Sequence, residues 1–297
     1  MADIEPNWEW YRTFLKVLET GSLSAAGREM GLTQPTVGRH IENLESTLGL
    51  KLFVRSFDGF SPTDAALELK PYAAGIAANS AALRRAASSH GKEVRGTVRL
   101  TASEVISVEV LPPILAALRH RHPELRVELV LSNKADDLLQ READIAVRMF
   151  RPLQDALVAK RVGSIELGLH AHQSYLAVHG APKSVDALAD HTLIGFDQES
   201  AYVRNVLKQL PWLSRAILAL RTDSDLAQLA AIRAGFGIGI CQVALAARDD
   251  ALVRLLPRQF ALKMETWVAM HEDLRASPRC AVTFSALVAG LGAYIRS

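Results

Sequence analysis

Gln34, Thr36 and Arg39 bring three chemistries suited to nucleic acid into six residues. A glutamine amide can pair bidentately with adenine, and a threonine offers a hydroxyl to a base edge and a methyl to thymine. Arg39, with His40 and Arg55 beyond it, has the charge and reach for phosphates. Pro35 lies between the first two, where a missing backbone N–H costs nothing in the first turn of a helix.

A second group is spread along the later chain. Thr101, Ser103 and Glu104 follow one short apolar run, Ser132 and Asn133 a second, and Arg148 and Phe150 a third. Ile194 and Phe196, then Thr222, stand at corresponding places further on. Hydroxyls, free N–H groups and one arginine at strand ends suit a small polar or anionic molecule in a cleft. Alternatives stay open for single residues. Arg148 could instead be a strand-end cation paired with Asp144 or Glu142, Ser132 and Asn133 could be turn formers, and Glu104 could cap the next helix.

Other chemistries find no support. The chain has no HExxH, GxSxG or GxxxxGK[ST] pattern, so no catalytic residue is expected. Cys241 and Cys280 match neither metal-ligand nor CxxC spacing and read as small buried residues, so no metal and no cofactor are expected. His170 and His172 alternate on a probable strand without identifiable metal partners, and His120 and His122 read as a solvated helix end. Gly235-Phe-Gly-Ile-Gly-Ile reads as a turn into a buried strand, not a dinucleotide loop.

The positioning elements can be read from periodicity. A short helix from Ser24 to Met30, a turn at Gly31-Leu32-Thr33 and a second helix capped by Thr33 make a helix-turn-helix. Val37, Ile41, Leu44 and Leu48 form the buried stripe of the second helix. Phe53–Arg55 and Ser56–Phe60 predict a two-stranded wing. Ala66, Leu69, Tyr72, Ala73, Ile76, Ala77, Ser80, Leu83 and Ala87 then predict a long helix whose stripe suits pairing with a second copy. Pro71 is expected to kink or interrupt it. After residue 93, short strands alternating with helices predict a doubly wound α/β architecture.

Length and composition agree with this division. The chain has 297 residues, 49% hydrophobic and 22% charged, which suits a folded protein of two or three domains. It opens without a basic region and apolar run, and no stretch reads as a membrane span, so a cytoplasmic protein without a membrane partner is expected. The formal charge is +2, and residues 1–92 carry equal numbers of acidic and basic side chains. A neutral helix-turn-helix is also what a three-helix protein-interaction module would present, and charge alone does not separate the two.

Phe14-Leu-Lys-Val-Leu-Glu-Thr-Gly-Ser-Leu-Ser-Ala-Ala, then Leu32-Thr-Gln-Pro-Thr-Val, then Ile41, Leu44-Glu45, Leu48-Gly49, Leu52-Phe53 and Arg55 resemble the LysR-type transcriptional regulators. The resemblance is dense over the first 66 residues, and domain order extends it across the chain. It implies a multidomain fold: an all-α winged helix-turn-helix plus a long linker helix, followed by a two-lobed α/β domain like periplasmic binding proteins. It places Thr33, Gln34, Pro35, Thr36, Gly38 and Arg39 at the DNA face and Arg55 at the wing, and Ser24 and His40 are expected to contact DNA beside them. Gly38 departs from the family's usual serine, and Ala66 from a common glycine.

The expected boundaries are 1–62 for DNA binding, 63–92 for the dimerisation helix and 93–297 for effector binding. Lobe I is expected over about 96–162 and 270–297, lobe II over about 166–267, with crossings near Val162–Leu167 and Trp267–Met270. The implied function is a sequence-specific DNA-binding transcriptional regulator controlled by a small-molecule effector. Its partners would be double-stranded DNA, that effector and other copies of itself, as a homodimer and homotetramer, with RNA polymerase a further candidate. The alternative is a non-catalytic solute-binding or protein-interaction module.

Overall fold

Asn7 starts the first helix, α1 (Trp8–Thr20), by accepting a hydrogen bond from the Glu9 N–H. Ser22 does the same for α2 (Leu23–Met30), through Ala25 N, and Thr33 for α3 (Gln34–Leu48), through Thr36 N. A computed structural model describes residues 5–56, 59–87, 93–132, 143–152, 157–198, 204 and 215–297. The chain separates into two compact units, divided in sequence after Ser88, and each is described by itself.

In the first unit the three helices close around Phe14, Val17, Ala26, Val37, Ile41 and Leu44. An antiparallel hairpin follows, β1 (Phe53–Ser56) with β2 (Gly59–Pro62), and Phe53 meets Phe14 edge-on with centroids 5.8 Å apart. The turn from α2 to α3 depends on Gly27. Any β-carbon there would lie 2.8 Å from the Leu32 carbonyl oxygen, which is too close for a side chain.

Thr63 Oγ1 accepts from Ala66 N and opens α4 (Asp64–Ala87). This helix runs unbroken through Pro71, where an interruption was expected. The proline lies exposed, so its missing N–H and its ring fall where water can meet the freed backbone. The expected stripe divides in two. Ala66 and Ala73 join the core of this unit, whereas Tyr72 (71%), Ile76 (42%) and Leu83 (70%) remain exposed.

The second unit is built on one seven-stranded sheet. Lobe I holds β3 (Gly96–Ala102) between two parallel neighbours, β4 (Leu125–Leu131) and β5 (Ile145–Arg148). A π-helical turn at Ile106–Val110 leads into α5 (Leu111–Arg121). The 16-residue β6 (Leu157–His172) runs out of this lobe into the next. Lobe II adds α6 (Gln173–His179), the parallel pair β7 (Leu193–Gly195) and β8 (Leu218–Arg221), and α7 (Asp225–Arg233). It continues with β9 (Gly239–Gln242), α8 (Val243–Ala246) and β10 (Leu252–Leu255), and both strands pair with the far half of β6.

Strand β11 (Leu262–His271) returns antiparallel to β6 along its whole length. The register shifts between Thr266 and Trp267, where Gly163 and then Arg161 are the partners. Trp267–Met270, expected as the return crossing, instead pairs residue by residue with Arg148–Ile145 inside lobe I. The change of lobe therefore falls at the bulge just before it, because a bulge is where a long strand can bend between two sheet directions.

The last helix, α9 (Pro278–Arg296), is long and apolar enough by length and composition to cross a membrane. In the fold, its Cys280, Leu287, Leu291 and Tyr294 are part of the core shared with β3 and β5.

Candidate functional site

The amino-terminal turn of α3 is held open to the outside. Thr33, Gln34, Pro35 and Arg39 are exposed. Ser24 Oγ donates to Gln34 Oε1 at 2.7 Å, which uses the amide oxygen and leaves the NH₂ free. Thr33 and Thr36 hydroxyls share a hydrogen bond of 2.8 Å. Gly38 has only Leu23 Cδ1, at 3.9 Å, near the position of a β-carbon, so a serine there would fit. Two expected phosphate contacts differ from the rest. His40 is half-buried with Nδ1 2.9 Å from Thr13 Oγ1, so its ring is held against α1. Arg55 lies in β1, and its side chain is outside the described residues.

The neutral total of residues 1–92 conceals an uneven placement. Lys16 Nζ binds Glu19 at 2.6 Å and Glu29 at 3.0 Å, and Arg12 binds Glu9. Glu45 is buried within the stripe of α3, where periodicity alone would place a hydrophobe. Its Oε1 accepts from the N–H of Leu52 (2.8 Å) and of Phe53 (3.3 Å), and Lys51 Nζ meets Oε2 at 2.6 Å. Burial opposes its ionisation, but the Lys51 and backbone hydrogen bonds outweigh burial and hold the carboxyl below its ordinary range. Arg39 has no ion-pair partner among the described residues, so a cation is left on the α3 face.

The second site is a cavity of about 450 Å³ between the lobes. Five of the expected residues line it: Ser103, Ser132, Arg148, Phe150 and Phe196. Thr101 is buried behind Arg148 and accepts from its Nη2 at 3.2 Å, while Nη1 donates to the Val147 carbonyl at 3.0 Å. Glu104 instead accepts from Ser224 Oγ at 2.7 Å, tying one lobe to the other. Ile194 is packed in the core, and Thr222 Oγ1 accepts from Ser224 N. Asn133 lies outside the described residues.

On the lobe II wall, sequence reasoning reached Phe196 but missed polar groups beyond it. Asp225 and Gln228, three residues apart on α7, both line the cavity, as does Gln242 at the end of β9. The spacing of the first two was readable as one helix face, but nothing local marked that face as a cavity wall. Burial and then the nearby Glu104 charge push the Asp225 carboxyl up to about 6. Cys241 also lines the cavity, with Sγ 3.2 Å from His170 Nδ1. Burial raises that thiol to about 12 and lowers the imidazole to about 4, so both stay neutral and unreactive near pH 7. Among the described residues no cluster of His, Cys, Asp and Glu could hold a metal. The Gly235–Gly239 string is a packing feature, because a β-carbon at Gly237 would lie 2.3 Å from the Thr192 carbonyl.

Residues 8–67 match the family described as bacterial regulatory helix-turn-helix protein, lysR family, and residues 91–292 match the LysR substrate binding domain. A "HTH-type transcriptional regulator" from Xanthomonas campestris is 30% identical over 178 residues, which cover 60% of this chain and 52% of that protein. CrgA, an HTH-type transcriptional regulator of Neisseria meningitidis serogroup C, is 28% identical over 195 residues, covering 66% of this chain and 65% of CrgA. The chain thus spans between half and two thirds of the length of these curated relatives. Among solved structures, CrgA shares the fold with a TM-score of 0.58 at 23% identity, over 97% of this chain and 99% of CrgA. Full-length CbnR complexed with its target DNA does so with a TM-score of 0.64 at 21% identity, over 98% of this chain and 99% of CbnR. With both family matches in the expected order on a fold of the same kind, the chain belongs to the LysR family of bacterial regulatory helix-turn-helix proteins.

Proposed function

We propose that this protein is a sequence-specific DNA-binding transcriptional regulator whose activity is set by a small-molecule effector between its two α/β lobes. The observation that carries the reading is the exposed first turn of α3. There, Ser24 fixes the Gln34 amide, Thr36 is tied to Thr33, and Arg39 has no acid paired to it among the described residues. Such a face presents side-chain donors suited to base edges, with a cation beside them for phosphate. Residues 1–62 would read DNA, 63–92 pair two subunits and 93–297 sense the effector.

Tyr72, Ile76 and Leu83, exposed on α4, supply an apolar face for a homodimer, and two dimers would make the homotetramer. RNA polymerase is a further partner in this reading, and the protein acts in the cytoplasm. No reaction is assigned to it, in keeping with relatives named as transcriptional regulators. The cavity contacts at Ser103, Ser132, Arg148, Phe150 and Phe196 would meet the effector directly.

The test is gel retardation on the protein's own upstream DNA beside random DNA of equal length. Gln34→Ala and Thr36→Ala are expected to lower specific affinity by roughly 10-fold each while leaving the random-DNA affinity nearly unchanged. Equal losses on both DNAs would remove the base-reading role, and no retention of the upstream DNA by the unaltered protein would remove the reading itself.

A further inference from the structure

The start of α7 is surrounded by carboxylates. Ser224 caps the helix by accepting from Ala227 N, and its hydroxyl donates to Glu104 Oε2 at 2.7 Å. Asp223 Oδ1 accepts from the N–H groups of Asp197 and Gln198 at 3.1 and 2.8 Å. Asp225 differs from both, since among the described residues no hydrogen bond and no ion pair reaches it. Burial and the Glu104 charge both raise its carboxyl, and no cation acts to lower it. A helix start ordinarily suits an anion, but here the protein's own acids already stand there.

Gln228 lies one turn later on the same face of α7 and is 5% exposed. Its Nε2 donates to the Thr222 carbonyl at 2.9 Å. A carbonyl can only accept, so this bond fixes the orientation of the amide. It leaves Oε1 without a donor among the described residues. Asp225 and Gln228 both line the cavity of about 450 Å³, which therefore holds two acceptors that the protein does not satisfy.

The rest of the lining decides which donor fits. Arg148 is 4% exposed, with Nη1 on the Val147 carbonyl and Nη2 on the Thr101 hydroxyl, so both terminal nitrogens are engaged inside lobe I. Phe196 follows β7, whose Gly195 carbonyl accepts from Thr222 N, and it lines the same cavity. A carboxylate, an amide oxygen and an aromatic face are groups that hold an organic ammonium. Leu167, Leu245 and Met264 add apolar wall, which suits an organic body. An anion would leave both acceptors unmet and add a negative charge beside Asp225.

We propose that the cavity takes an organic cation, a protonated amine on a small apolar body, whose N–H groups are donated to Asp225 and to Gln228 Oε1. This rests on the reading of the cavity as the effector site. The polar or anionic molecule suggested by the strand-end residues is replaced by a cationic one.

Calorimetric titration of the full chain at pH 8 tests this with two matched sets of probes. The first is phenethylamine, 2-phenylethanol and 3-phenylpropionate; the second is isopentylamine, 3-methylbutan-1-ol and 4-methylpentanoate. At least one amine is expected to bind about ten-fold or more tightly than both its alcohol and its carboxylate. Asp225→Asn should remove that advantage while leaving the alcohol's affinity unchanged. Thermal melting checks that each variant is folded.

Equal or tighter binding of an alcohol or carboxylate, an advantage that survives Asp225→Asn, or no binding of any probe at millimolar concentration would each overturn the proposal. Met264→Trp, which fills the cavity from a half-buried wall position, separates this from failure of the underlying reading. Carboxylate binding that Met264→Trp abolishes leaves the cavity as the effector site and overturns only the cation. Binding that Met264→Trp leaves untouched overturns the effector reading as well.

Discussion

Arg233 of lobe II holds Glu109 of lobe I through two guanidinium nitrogens, 2.6 and 3.1 Å from the two carboxylate oxygens. Arg248 Nη1 donates to the Glu109 carbonyl at 3.0 Å, and the same guanidinium lies 5.0 Å from the Tyr294 ring centroid. Glu109 lies in the π-helical turn before α5, so this one turn is the lobe I anchor for two arginines of the opposite lobe. The Arg233 hydrogen bonds keep its carboxyl below the ordinary range although burial acts the other way.

Glu109→Gln should weaken lobe closure. Both side chains are partly exposed, so solvent screening limits the loss to about 1 kcal/mol in urea unfolding of the full chain. The loss should shrink at high salt. A double-mutant cycle with Arg233→Met should return a coupling of the same size; a coupling near zero would show that the pair is not a clasp.

The buried Asp225 carboxylate opposes folding at neutral pH. Its carboxyl is raised from 3.8 to about 6, so its stabilising contribution is present below 3.8 and is lost as pH rises through about 6. Asp225→Asn, neutral throughout, should therefore be more stable than the parent at pH 8 by about 1–2 kcal/mol, a figure reduced for its opening onto the cavity. The difference should vanish by pH 4. Melting curves at the two pH values check both sign and window.

Glu45 ties α3 to the hairpin. Removing it in Glu45→Ala leaves the buried Leu52 and Phe53 N–H groups without their acceptor and should cost about 2–3 kcal/mol. Because its carboxyl lies below the ordinary value, that stability is present at neutral pH and is lost as pH falls below about 4.5. Chemical unfolding of the variant at pH 7 and pH 3 should show a large difference from the parent at the first and a small one at the second.

Gly27→Ala should disturb the turn between α2 and α3. The added carbon would sit 2.8 Å from the Leu32 carbonyl oxygen, a backbone atom that can move only with the turn itself. A stability loss of about 1–3 kcal/mol is expected, with weaker DNA retention, whereas Gly38→Ala, with 3.9 Å of room, should leave folding unchanged. Equal effects of the two substitutions would contradict the packing argument.

The helices, their caps at Ser22 and Thr33, the stripe through Val37, Ile41 and Leu44 and the strand-helix alternation after residue 93 were all legible in the sequence, because each depends on residues within a few positions of one another. So was the first half of the cavity, since Ser103, Ser132 and Arg148 follow strands whose ends can be located by pattern. The charge balance of residues 1–92 was legible too, yet it averages over pairs that only folding assembles. Lys16 with Glu19 and Glu29, and Lys51 with Glu45, take five of those charges out of play, and Arg39 stays open.

Tertiary structure alone decided the rest. It turned His40 toward Thr13, carried Glu45 into the core, and brought Gln242 to Tyr294, 52 positions away in the chain. It also brought Asp225 and Arg148 to the lining of one cavity. A local pattern states which face of an element is apolar, but it says nothing about which distant element covers that face. The sense of each cavity hydrogen bond is set by those long-range partners.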